Sequence, residues 1–235
     1  MKMTSTKKII KRKLKEPDEF ITLTERAYLF VTHHAKPIAL GAGILLVLLL
    51  FIFFLQKWEK KNAGDADQMF NLAAETYQLV SSPYREGSPQ EYKNVIERFN
   101  EVITKFPKTQ AAKLAVLYQG NIHFRLGEFD EAIKAYETYI EKAGKEKLYR
   151  AFAIEGLGYS YEGKRDYEKA MRAFQKLIDL GEGFQLANAY LGLGRCSEKM
   201  GKTKEALENY RSFIKISQKS QMANIVLRKI SSLEK

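Results

Sequence analysis

The chain has 235 residues, 45% of them apolar, and a formal net charge of +11. This length accommodates one sizeable core plus an appendage, and the single cysteine, Cys196, excludes an intramolecular disulfide. The three histidines (His33, His34 and His123) lack zinc-type spacing, and no Gly-x-Ser-x-Gly, His-Glu-x-x-His or Cys-x-x-Cys occurs. No catalytic constellation, metal site or cofactor is therefore expected, and the chain does not read as an enzyme.

Residues 1–36 carry nine Lys/Arg (Lys2, Lys7, Lys8, Lys11, Arg12, Lys13, Lys15, Arg26 and Lys36) against four acids. Such a basic block could be a nucleic-acid arm. Here it adjoins a hydrophobic run, which favours a topology signal and anionic headgroups over nucleic acid. From Thr24 to Lys36 the apolar residues recur at helical spacing, as expected of a short interfacial helix.

Ile38 to Leu55 contains no polar side chain, and Lys36 and Lys57 bracket it. The uncharged stretch spans about 30 Å as a helix, the thickness of a bilayer's hydrocarbon core. Trp58 follows at headgroup level. The run is too long and starts too late for a cleaved signal peptide. Residues 37–57 are expected to be an uncleaved signal anchor. The heavier positive charge on the N-terminal side places the tail in the cytoplasm and residues 58–235 across the membrane.

Beyond the anchor, three segments superimpose. Each has a Gly in its first helix (Gly120, Gly158, Gly194). An Ala follows 12 residues later (Ala132, Ala170, Ala206), and an aromatic four beyond that (Tyr136, Phe174, Tyr210). The small residues allow two antiparallel helices to approach closely, and the aromatic fills the space between neighbouring pairs. Turns are expected at Leu126-Gly127-Glu128, Gly163-Lys164-Arg165 and Met200-Gly201-Lys202. One such pair cannot bury its apolar face alone, whereas stacked pairs can. The expected repeats are 112–144, 150–182 and 186–218. A degenerate unit precedes them at 65–107, and a capping helix follows at 220–233. Gly158 to Lys164 imitates a phosphate loop, but Arg165 replaces the required Ser/Thr. The Gly-Leu-Gly pairs 156–158 and 192–194 read as helix packing, and Cys196 as a small buried apolar residue.

The residues Leu157-Gly158, Tyr161, Tyr167, Ala170 and Phe174 resemble the tetratricopeptide repeat, as do Tyr190, Leu193-Gly194, Gly201, Ala206 and Tyr210. The repeats are longer than the family's ~34 residues, and none of the three ends in Pro. The resemblance implies an all-α fold: an N-terminal transmembrane helix followed by a tetratricopeptide-like helical-hairpin solenoid. It also implies a concave groove lined by the first helix of each pair, here with Asn121, Phe124, Arg125, Tyr159, Glu162, Arg195 and Lys199. Aromatic and basic groups together suit an extended peptide of some acidic character. Leu114 and Leu117 stand where the family's carboxylate-clamp basic residues would be, so recognition of a C-terminal carboxylate is not expected.

A basic tail, one anchor and a repeat domain in this order resemble the bacterial ancillary translocon subunit family, whose repeat domain is related to that of the periplasmic cell-division coordinator. The resemblance implies a single-pass inner-membrane protein with a periplasmic repeat domain. It would act as a chaperone-like adaptor meeting translocon subunits, chaperones or exported chains. The alternative is a structural scaffold of a cell-envelope complex (cell wall, outer-membrane assembly or pilus-like machinery). Oligomeric state is not legible from these features.

Overall fold

A computed structural model describes residues 19–84, 87–142, 146–181 and 185–235, with side chains from residue 24 onward. The basic run Lys2 to Lys15 lies outside the described residues. Among the described residues every regular element is helical: α1 (Glu19–His33), α2 (Ala35–Val80), α3 (Pro89–Lys105), α4 (Gln110–Arg125), α5 (Phe129–Lys142), α6 (Lys147–Gly163), α7 (Tyr167–Leu180), α8 (Gln185–Lys199), α9 (Thr203–Ile216) and α10 (Gln221–Leu233). The chain divides into two compact units, residues 1–58 and 59–235.

In the first unit, Ile38 to Leu55 is exposed throughout, and α2 is long and apolar enough to cross a membrane. Sequence spacing suggests a separate helix beginning near Asp65, yet α2 runs unbroken from Ala35 to Val80. The connecting residues from Gln56 to Ala63 include no proline, and the single Gly64 weakens a helix without ending it.

In the second unit, successive helices pack as antiparallel pairs, and four apolar clusters follow in chain order. Val95, Phe99 and Val102 of α3 meet Ala66 and Ala73 of α2. Tyr136 and Tyr139 of α5 sit among α4 and α6. Phe174 and Leu177 of α7 sit among α6 and α8. Tyr210 and Phe213 of α9 are covered by Val226 and Ile230 of α10. Each pair is thus closed by the first helix of the next, the nearest-neighbour arrangement of a solenoid.

The aromatic–glycine contacts set the stacking. A Cβ on Gly120 would lie 2.7 Å from Tyr136 Cε1, and one on Gly156, in the next pair, 2.7 Å from the same atom. Phe174 stands likewise against Gly158 of its own pair and Gly192 of the next, at 2.6 Å from each. The two glycines of each Gly-Leu-Gly serve different aromatics, because positions i and i+2 face nearly opposite sides of a helix.

The turns within pairs share one geometry. Gly127 and Gly201 adopt φ 74°, and the same place in the middle repeat is taken by Arg165 at φ 62°. At each turn two amides close back onto the preceding helix, as with Arg165 N to Glu162 O at 2.9 Å and Asp166 N to Tyr161 O at 2.9 Å. The left-handed residue therefore falls two positions after Gly163. Gly163 itself ends α6, where a Cβ would lie 2.5 Å from Phe129 Cζ. Caps mark the other ends: Ser88 and Glu91 form a capping box at α3, and Thr109 accepts from Ala112 N at α4.

Candidate functional site: an aromatic cleft between first helices

The inner faces of α4 and α6 enclose an open cleft of about 370 Å³. From α4 come Leu117, Tyr118, Asn121 and Phe124; from α6 come Tyr149, Phe152, Glu155, Gly156 and Tyr159; Tyr136 of α5 forms its floor. Tyr118, Asn121 and Phe124, like Tyr149, Phe152, Gly156 and Tyr159, recur every three to four residues, so each set forms a stripe, with Leu117 and Glu155 beside it. Phe124 and Tyr159 face one another with ring centroids 6.4 Å apart, and Tyr159 meets Phe174 edge-on at 5.4 Å.

Polar groups in the walls bond to one another and to Asn188. The Tyr136 hydroxyl donates to Asn121 Oδ1 at 2.8 Å. Glu155 is 8% exposed. Its Oε1 accepts from Asn188 Nδ2 at 2.7 Å and from the Tyr159 hydroxyl at 3.3 Å. Burial pushes the Glu155 carboxyl above its ordinary range, against the opposing effect of these two hydrogen bonds. Burial likewise raises the Tyr136 and Tyr159 phenols, with the Glu155 charge adding to it.

Asn121, Phe124 and Tyr159 thus stand in the cleft itself. Glu162 and Arg195 lie beyond it along the same inner surface and are committed to one another: Arg195 Nε and Nη2 donate to the two Glu162 oxygens at 2.7 and 2.6 Å. The Arg195 guanidinium also lies 5.6 Å from the centroid of Tyr159. Lys199 is exposed, one turn past Arg195 on α8. Arg125 is not brought to the cleft. It adjoins the Tyr77 and Tyr92 hydroxyls and borders a separate depression with Ser88, Tyr92 and Leu126.

Tyr118, Tyr149, Phe152 and Glu155 are the lining residues that repeat matching passes over. The stripe Tyr149, Phe152, Gly156, Tyr159 on α6 was available from spacing alone. Assigning it to an open cleft required knowing that α4 lies opposite it. Cys196 is fully buried, and burial pushes its thiol up to about 12, so it is a packing group.

Comparisons with known proteins agree on the fold. A solved structure of MamA superimposes with a TM-score of 0.53 at 22% identity, over 68% of this chain and 77% of that one. MamA residues 41 to the end from Desulfovibrio magneticus RS-1 gives 0.53 at 19% identity, over 72% and 84%. A tetratricopeptide repeat protein from Parabacteroides merdae gives 0.55 at 16% identity, over 71% and 60%. At these identities the likeness concerns the fold alone. Among curated proteins none matches the sequence significantly. The family model for the tetratricopeptide repeat-like domain matches residues 30–235. With the stacked pairs and their aromatic–glycine contacts, this match shows that the chain belongs to the tetratricopeptide repeat-like domain family.

Proposed function

We propose that this chain is a membrane-tethered protein-interaction adaptor that serves protein export as a chaperone-like accessory. Its tail would lie in the cytoplasm, its anchor in a bacterial inner membrane and its repeat domain in the periplasm. The observation that carries this reading is the aromatic cleft between α4 and α6, a concave surface suited to an extended segment of another protein. The apolar stretch of α2 supports the tether. Tethering raises the local concentration of a weak groove near its clients, so modest affinity suffices.

In-cell photocrosslinking from Phe124 and Tyr159 tests the proposal. Adducts with translocon subunits, chaperones or many different exported chains support it. A silent cleft beside reactive outer faces would remove the groove from the account. One stoichiometric envelope protein would instead support a scaffold. That second reading draws on the exposed Met222, Ile225 and Leu227 of the terminal helix α10, a surface for a fixed neighbour. Topology is checked by reporters fused after Lys235 and at the N-terminus.

A further inference from the structure

The cleft contains a carboxylate without a counter-ion. Glu155 is 8% exposed, and both its hydrogen-bond donors, Asn188 and Tyr159, are uncharged. Among the described residues no Lys or Arg reaches it. Arg195 is held by two bonds to Glu162, and Lys229 of α10 is held by Glu198 at 2.5 and 2.6 Å. A buried charge is costly unless paired, so this position gains from a cation supplied from outside.

The surroundings specify what kind of cation. Tyr118, Phe124, Tyr136, Tyr149, Phe152 and Tyr159 line the same cleft. The faces of aromatic rings are electron-rich and attract ammonium and guanidinium groups. The same faces and the Glu155 carboxylate disfavour an anionic side chain. On the α6 side, Tyr149 and Phe152 are 37% and 36% exposed and the neighbouring Leu148 52%, giving apolar footing beside a charged residue. The cleft is open, which suits a side chain projecting from an extended backbone better than a free small ion.

We propose that the α4–α6 cleft is a subsite for a Lys or Arg side chain, flanked by apolar residues, in an extended segment of a partner protein, with Glu155 as its counter-ion and the surrounding rings as its cage. The inference rests on the groove reading above and reverses the acidic preference expected from Arg125, Arg195 and Lys199. Arg125 borders a separate depression, Arg195 is neutralised by Glu162, and Lys199 lies outside the cleft lining.

The test is an array of random decapeptides probed with the full chain in detergent micelles. Salt of about 0.3 M screens attraction to the exposed basic surface. Bound peptides should be enriched in Lys and Arg beside Leu or Phe. Replacing the basic residue of a binder by norleucine should weaken it about tenfold or more. Glu155→Gln keeps an acceptor for Asn188 and Tyr159 and should remove most of the difference between the two peptides, leaving only what the rings contribute. If Glu155→Gln does not fold, the norleucine comparison on the native chain decides, together with Tyr149→Ser. That half-exposed position should weaken basic peptides without shifting thermal unfolding. Binders that are acidic or indifferent to charge, or a basic preference undiminished by Glu155→Gln, overturn the inference and leave the groove intact. An array on which nothing binds removes both.

Discussion

Gly156→Ala tests the packing that sets the solenoid. A methyl group on Gly156 would meet the Tyr136 ring, lying 2.7 Å from Cε1 and 2.7 Å from Cε2. The ring cannot retreat, because its other face lies against Gly120 and its hydroxyl is bonded to Asn121 at 2.8 Å. Overpacking of this kind costs about 1–3 kcal/mol, with the upper end expected for a ring confined on both sides. Displacing the hydroxyl from Asn121 adds about 1 kcal/mol. The better helix propensity of Ala returns about 1 kcal/mol. The net expectation is a loss of roughly 2–3 kcal/mol. In a Tyr136→Leu background the clash is absent and the propensity gain remains, so the same substitution becomes neutral or stabilising by up to about 1 kcal/mol. Urea unfolding followed by far-UV circular dichroism, on the full chain in detergent, gives all four corners of this cycle. A Gly156→Ala chain as stable as its parent, or effects of Gly156→Ala and Tyr136→Leu that simply add, would refute the reasoning.

Three further expectations follow from the same contacts. Arg165→Gly should stabilise the chain by about 0.5–1 kcal/mol in the same assay, since it relieves a left-handed residue at φ 62° whose counterparts are glycine. Glu162→Gln should destabilise by about 1–2 kcal/mol, read as a lower thermal midpoint, because it leaves the partly buried Arg195 without its bidentate partner. The two carboxylates, Glu155 and Glu198, should respond to pH in opposite senses. Burial alone would raise Glu198, but hydrogen bonds from Lys229 and Tyr210 outweigh it and lower the group. Its contribution is therefore present above its ordinary value of 4.5 and lost as pH falls below it, and Glu198→Gln should flatten acid unfolding. Glu155 is raised, so the folded state binds its proton more tightly and ionisation opposes folding. In the absence of peptide, Glu155→Gln should be the more stable chain at neutral pH, with the advantage shrinking as pH falls through this group's titration. Urea midpoints measured across pH check both.

The helical repeat was legible in the sequence because its physics is local. An apolar residue every three to four positions, a Gly twelve before an Ala and an aromatic four beyond it are properties of single helices and adjacent pairs. The apolar stretch from Ile38 to Leu55 is equally self-contained, since a run with no polar side chain has one periodicity whatever it packs against. The identity of Tyr136, Phe174 and Tyr210 as the packing aromatics follows from the same spacing.

What tertiary structure decided involves pairs far apart in the chain. Arg195 and Glu162, like Asn188 and Glu155, are 33 residues apart, and only the stacking of α8 on α6 makes them partners. The unbroken passage of α2 through Gly64 depends on competition between a weak helix-breaker and its neighbours, which spacing does not register. Gly163 is kept free of a side chain by Phe129 of the preceding pair, while the left-handed turn falls on Arg165, the counterpart of Gly127 and Gly201. From the sequence alone, Arg125, Arg195 and Lys199 were basic groups lining a groove, and Glu155 was one acid among many. Charge is written in the sequence, but whether a charge is spent on a neighbour, turned aside or left buried without a counter-ion is set by which helices face one another.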